Sequence, residues 1–362
     1  MPGPAKIRVV LVDDSSTVRA VMRRLFSRTD DIEIVDEAVD GAQAVQSVLA
    51  ARPDVVLMDV EMPVLDGYAA TERIMAVCPT PILIFTSRAN RDQLHTAFEA
   101  VARGALDVLA KPEDTVGWER LGVSLPAAVR SLAGERSTGR RQQAASGSSP
   151  DVRPAAGAGP RAAVAGRGRF QTVRYVAVGA STGGPAALRD LLAALPTPLP
   201  VPILVVQHIA AGFEEGLAEW LAGDLHRDVQ VARDGEIARP GAIRLAPSGS
   251  HLRLRASGVI QLDAASPPRN GHRPSADELF LSCAAAFPTV TAGVLLTGMG
   301  SDGAAGLAVL RQAGGLTMVQ DEATSAVFGM PRAALEIGAA DLALPPRELG
   351  QTLAACWSRE QA

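Results

Sequence analysis

The chain reads as two α/β domains joined by a flexible segment. Three observations predict this. Short apolar runs alternate with helical stretches in both halves, acidic and hydroxyl residues gather where those runs end, and a Gly, Ala, Ser and Pro-rich stretch from Gly134 to Arg169 divides them. A length of 362 residues also favours two domains. Hydrophobic residues make up 47%, enough for sizeable cores, and a formal charge of -4 argues against nucleic acid as a partner. Cys78, Cys283 and Cys356 are too widely spaced for a metal pattern or a disulfide framework. No apolar run approaches the roughly eighteen residues of a membrane span, and no signal peptide opens the chain. The expectation is a cytoplasmic protein without membrane insertion, monomeric by default.

In the first half, strands are expected at Ile7–Val12, Ile32–Asp36, Asp54–Met58, Pro81–Phe85 and Leu106–Ala110. Ser15 and Ser16 are possible caps for the first helix, where Val18, Val21, Met22, Leu25 and Phe26 recur at helical spacing. Several strands are almost wholly apolar, as parallel strands covered on both faces are. A five-stranded doubly wound domain over residues 6–132 follows. The segment 133–171 has no hydrophobic period and carries an excess of arginine, so it reads as a flexible linker.

From residue 172 to 362 a second α/β sheet is expected. Its strands fall at Arg174–Val178, Pro202–Val206, Val229–Ala232, Ala242–Leu245, Val259–Leu262, Thr291–Leu296 and Leu316–Gln320. Helices fall at Ala186–Ala194, Phe213–Ala222, Ala276–Ala286, Gly303–Gln312 and Pro331–Ile337. The short runs between Val229 and Leu262 suggest hairpins at one edge.

Chemistry-bearing residues sit beyond the strand ends. In the first domain Asp13 and Asp14 follow strand one, Asp59 strand three, Thr86 and Ser87 strand four, and Lys111 strand five. Groups outside the carboxyl ends of an open parallel sheet converge on one crevice. Clustered carboxylates repel unless a hard cation such as Mg²⁺ lies between them, and a lysine and a hydroxyl beside them suit phosphate oxygens. The stretches VDDSSTVR, LMDVEMPVLDG, IFTSR and AKP resemble the receiver domains of bacterial response regulators, which have a flavodoxin-like fold. That resemblance implies Asp59 as phosphoacceptor, Mg²⁺ on Asp13, Asp14, Asp59 and the Glu61 carbonyl, phosphoryl contacts from Thr86 and Lys111, and a cis Lys111–Pro112 bond. Val108 departs from the pattern, since many receivers have an aromatic residue there.

In the second domain VGASTGGP forms a Gly-x-Ser-x-Gly turn between a strand and a helix. Gly179 and Gly183 allow a sharp turn that lifts Ser181 clear of the backbone. A dinucleotide fingerprint would need glycine where Ser181 stands, and an acid near Val201–Ile203 that is missing. A serine needs a base, and His208, directly after ILVVQ, is the strongest of five histidines; Asp302 in GMGSDG supplies an orienting acid. The order serine, histidine, aspartate excludes the α/β-hydrolase arrangement.

GASTGGP, VVQHI, RLAPSGSHL, GHRPSADELF, LLTGMGSDGAAGL and QDEATSAVFGMPRAA resemble the catalytic domain of the CheB-type chemotaxis methylesterases. The order receiver, linker, catalytic domain matches that family. The resemblance implies a three-layer α/β/α Rossmann-like catalytic domain. It implies phosphorylation-regulated hydrolysis of glutamyl γ-methyl esters on methyl-accepting chemoreceptors, with glutamine deamidation as a second activity and no cofactor for the hydrolysis. Ser181, His208 and Asp302 would form the triad, Met299 would give a backbone oxyanion donor and Thr182 would line the site. A chemotaxis histidine kinase would be the phosphodonor, and the unphosphorylated receiver would cover the crevice. Alternatives are the same chemistry in another chemosensory pathway, or a silent receiver-linked binding module.

Overall fold

The computed structural model describes residues 6–87, 98–112, 114–145 and 173–358. The N-terminal sheet has five strands, β1 Ile7–Val12, β2 Ile32–Ala38, β3 Val55–Met58, β4 Ile82–Thr86 and β5 Asp107–Ala110. They lie in the order β2-β1-β3-β4-β5, all parallel. Strands β3 and β4 are buried at every residue, because helices cover both faces. Ser15, Asp40 and Asp66 each accept a backbone N–H in the first turn of a helix, which fixes where the helices Ser16–Phe26, Gly41–Ala51 and Gly67–Val77 begin. The strand order reverses between β1 and β3, so the residues after these two strands share one crevice.

The helix Thr115–Ala145 continues past Leu132 into the segment read as linker. A helix already nucleated gains one hydrogen bond for each further residue it fixes, so weak propensity suffices to extend it. The remainder of that segment, 146–172, lies outside the described residues.

The C-terminal sheet adds β6 Tyr175–Ala180, β7 Ile203–Gln207, β8 Asp228–Val231, β9 Ala242–Leu245, β12 Thr291–Leu295, β13 Leu316–Gln320 and β14 Leu342–Leu344. Their order is β14-β13-β12-β6-β7-β9-β8, with every pairing parallel. The expected edge hairpins are therefore only partly present. β8 and β9 pair in parallel, while β10 His251–Leu254 and β11 Ile260–Asp263 form a separate antiparallel hairpin. Ten residues connect Val231 to Ala242, enough for the chain to return and run in the same direction. From β6 the chain winds out through β7 and later returns to β12 on the other side. The carboxyl ends of β12, β6 and β7 thus meet at the switch point.

Candidate active site

Ser181 follows β6 directly. Its N–H donates to Thr297 O at 3.0 Å, and its own carbonyl accepts from Gly184 N at 2.8 Å, which bends the chain into the helix Gly184–Ala193. Gly183 at the corner has φ +76, and a Cβ there would stand 2.3 Å from Ala326 Cβ. Both conformation and space thus call for glycine.

His208 reaches the same point from the next strand. Ala180 pairs with Gln207, and His208 N donates to Ala180 O at 2.9 Å, so Ser181 and His208 leave adjacent strand ends. Asp302 comes from the loop after β12, and its Oδ2 lies 2.8 Å from His208 Nε2. The aspartate is 2% exposed. It also accepts from Ser275 Oγ at 2.6 Å, Ala276 N at 2.7 Å and Asp277 N at 3.3 Å, at the start of the helix Ala276–Ala286. Burial works against its charge, but the bonds from His208, Ser275 and Ala276 prevail and hold its pKa at about 2. Facing so firmly ionised a carboxylate, Nε2 carries the proton, leaving Nδ1 as the basic nitrogen. Nδ1 is buried and has no hydrogen-bond partner among the described residues.

His272 stacks on the His208 ring, with centroids 4.0 Å apart and planes within 1°. Burial, then the neighbouring His208, lowers its pKa. This contact was not legible in the sequence, where His272 stands in an irregular stretch; the motif GHRPSAD is the only signal. Among the described residues the other histidines lie apart from this cluster. His251 Nε2 bonds to Pro267 O, His226 closes the helix Glu214–Leu225, and His95 lies outside the described residues.

Two backbone amides beside the serine are uncommitted. Thr182 N and Met299 N make no hydrogen bond among the described residues, whereas Ser181, Gly184 and Gly298 amides all do. A Cβ on Gly298 would lie 2.6 Å from Ser181 Cβ, so the backbone entering Met299 runs against the serine. Thr297 Oγ1 holds Thr182 O at 2.9 Å.

In the N-terminal domain the carboxylates of Asp13, Asp14 and Asp59 offer oxygens that all lie within 4.8 Å of one another. Lys111 Nζ is 2.5 Å from Asp59 Oδ2 and 2.8 Å from Asp13 Oδ2. Asp59 Oδ1 accepts from Val60 N at 2.7 Å. Burial pushes Asp59 up to about 6, against the charge of Lys111. Lys111 is held above its ordinary range by the two carboxylates, which outweigh its own burial. Thr86, 2% exposed, ends β4, and its carbonyl accepts from Lys111 N at 2.7 Å. Glu61 is exposed on the loop after Asp59. The expected cis Lys111–Pro112 bond is corrected: among the described residues the cis bonds are Thr197–Pro198 and Arg273–Pro274. The trans form, favoured by about 0.5–1 kcal/mol in X–Pro bonds, already brings Nζ to both carboxylates.

The domains touch beside the serine turn. Asp107 Oδ2 accepts from Gly183 N at 3.2 Å, and Phe98 lies edge-on to Phe213 and stacked with Trp220 at 6.5 and 6.0 Å. Val108 is buried within the sheet, paired with Ile84. Burial pushes Asp107 up to about 7, despite the bonds it accepts from Val108 and Gly183.

Residues 9–117 match the family model described as response regulator receiver domain, and residues 176–353 match CheB methylesterase. The chain is 44% identical over 355 residues to protein-glutamate methylesterase/protein-glutamine glutaminase 2 of Anaeromyxobacter dehalogenans, covering 97% of each chain. It is 41% identical to a protein of the same description, numbered 3, from Myxococcus xanthus, over 94% of this chain and 90% of that one. The solved CheB methylesterase catalytic domain of Thermotoga maritima is similar at 37% identity and a TM-score of 0.49, covering 51% of this chain and 98% of that one. With its two domains in this order and such identity along nearly the whole length, the chain belongs to the CheB family of response-regulator protein-glutamate methylesterases.

Proposed function

We propose that this protein hydrolyses glutamyl γ-methyl esters on the cytoplasmic helices of methyl-accepting chemoreceptors, using Ser181, His208 and Asp302, and that phosphorylation of Asp59 controls the rate. The observation that carries the reading is the buried Asp302–His208 pair with Nδ1 left free, at the strand end next to Ser181. Nδ1 takes the Ser181 proton as Oγ forms a bond to the ester carbonyl carbon. The negative charge on the carbonyl oxygen is met by the free amides of Met299 and Thr182. Collapse breaks the C–OCH₃ bond, and the proton on Nδ1 leaves with methanol. Water then adds to the acyl-enzyme, Nδ1 again removing its proton, and Ser181 departs with that proton to leave glutamate. An amide substrate releases ammonia in place of methanol, which fits the glutaminase activity in the relatives' descriptions.

The acidic cluster fits a hard divalent cation, because Asp13, Asp14 and Asp59 converge and Asp13 and Asp59 are buried. Mg²⁺ would be held by these carboxylates and the Glu61 carbonyl, and would neutralise phosphoryl oxygens. Lys111 and Thr86 would contact the phosphoryl group on Asp59, delivered by a chemotaxis histidine kinase. Ser181→Ala is expected to abolish methanol release from methylated receptor membranes while the protein stays folded. In wild type, a small-molecule phosphodonor with Mg²⁺ should raise that release. Wild-type release from Ser181→Ala would remove the catalytic assignment, and no response despite modified Asp59 would remove the control.

A further inference from the structure

The residue before His208 has a place in the site that the motif does not explain. Gln207 ends β7, a strand otherwise wholly apolar, and is 4% exposed. Its Nε2 donates to Ser181 O at 2.7 Å and to His208 O at 3.0 Å. One carboxamide therefore joins the backbones of the serine and the histidine. Both acceptors are carbonyl oxygens, so the nitrogen must face them. The amide oxygen is turned the other way, buried and without a partner among the described residues. A free-standing structural amide would be placed to satisfy both ends; here one end is given up so that both protons serve the site.

Gly184 supplies an independent second observation. It opens the helix Gly184–Ala193 and lacks the positive φ of its neighbour Gly183, so no conformational need for glycine is visible. Its need is space. A Cβ on Gly184 would stand 2.0 Å from Gln207 Oε1, 2.7 Å from Cδ and 2.8 Å from Nε2. The two adjacent glycines of the turn have different tasks: Gly183 makes the corner, and Gly184 admits the carboxamide.

We infer that Gln207 is a positioning residue that fixes Ser181 relative to His208, with Gly184 as its receptacle. The inference rests on the assignment of Ser181 and His208 given above. Ser181 Oγ and His208 Nδ1 must come within hydrogen-bond reach for proton transfer, and a displacement of about 1 Å can cost on the order of a hundredfold in rate. Backbone bonds anchor Ser181 N to Thr297 O and His208 N to Ala180 O, but they do not tie the carbonyls of Ser181 and His208 to each other. The bifurcated clamp supplies that tie just where the two reactive side chains begin.

Four substitutions test this. Gln207→Met keeps the length but offers no donor, and kcat for methanol release is expected to fall by about ten- to a hundredfold with KM within about twofold. The rate at which a fluorophosphonate labels Ser181 should fall in parallel, since it reads serine nucleophilicity without the receptor. Gln207→Glu has the same shape but presents only acceptors to two carbonyl oxygens when ionised, and regains one donor when protonated. Its labelling rate divided by that of wild type should rise as pH falls, because the pH dependence of the triad itself cancels in the ratio. Gly184→Ala should impair labelling in wild type but add little to the defect of Gln207→Ser, which leaves room for the methyl group. Wild-type labelling of Gln207→Met overturns the inference, as does a pH-independent ratio for Gln207→Glu, which would mark a purely steric role. Ser181→Ala is the control: labelling that persists there sinks the catalytic reading itself, whereas its loss with normal Gln207 variants sinks only the clamp.

Discussion

At the scale of single residues, the site depends on which nitrogen of His208 faces which partner. Asp302 claims Nε2, so in the proposed mechanism general-base work falls to Nδ1, and the ring must be held in the plane that serves both. The parallel ring of His272 at 4.0 Å limits tilting of His208 on one face. Its lowered pKa keeps it neutral at neutral pH, so it adds no positive charge against the imidazolium that forms during catalysis. His272→Ala should lower kcat by roughly tenfold with a smaller effect on KM, and His272→Phe should recover most of the loss by restoring a flat ring. Steady-state methanol release checks both; equal rates for all three proteins would mean that the stack contributes nothing. Ser181, His208 and Asp302 were legible in the sequence because each follows an apolar strand and precedes a helix or loop, a local signal. His272 was not, because its contact with His208 joins positions far apart in sequence that only the folded chain brings together.

At the scale of elements, the start of the helix Ala276–Ala286 joins His208 in making Asp302 a dependable anion. Its first amides and the Ser275 hydroxyl point at the carboxylate, where the helix dipole favours negative charge. Ser275 accepts from Glu278 N in turn, so it caps the helix and holds the aspartate with one hydroxyl. Ser275→Ala should cost about 1 kcal/mol of stability. It should also weaken the depression of the Asp302 pKa. A carboxylate depressed from 3.8 to about 2 stabilises the fold above the higher value, and that stability is lost as pH falls through the lower one. The acid unfolding midpoint of Ser275→Ala, followed by circular dichroism, should therefore move to higher pH; an unchanged midpoint would contradict this account. That this cap meets Asp302 could not be read beforehand. PSADELF announces an N-terminus, but nothing in the string says that Asp302, beyond the next strand, fills it. The same limit explains β8 and β9: strand runs were evident, while their parallel pairing depends on where the chain returns.

At the scale of the whole molecule, the receiver and the catalytic domain share one buried apolar cluster, and one contact between them is chemically sensitive. Asp107 presents a carboxyl to the amide of Gly183, two residues beyond Ser181. Val108, where many receivers carry an aromatic residue, is buried in the sheet, while the buried Phe98 and Asp107 reach residues of the catalytic domain. Burial pushes Asp107 from 3.8 up to about 7, so the docked state retains a proton that the ordinary carboxyl has already lost. The contribution of Asp107 to docking is therefore fully present below about pH 4 and is lost as pH rises through about 7. Asp107→Asn keeps an acceptor for Gly183 without a titrating group, so it should hold the receiver down at every pH. The unphosphorylated rate of wild type divided by that of Asp107→Asn should be near one at pH 5 and climb by pH 8, since the pH dependence of the triad is common to both. A constant ratio would mean that Asp107 is equally buried whether or not the receiver is docked, and would leave Phe98 against Phe213 and Trp220 as the contact to be loosened under the proposed control through Asp59.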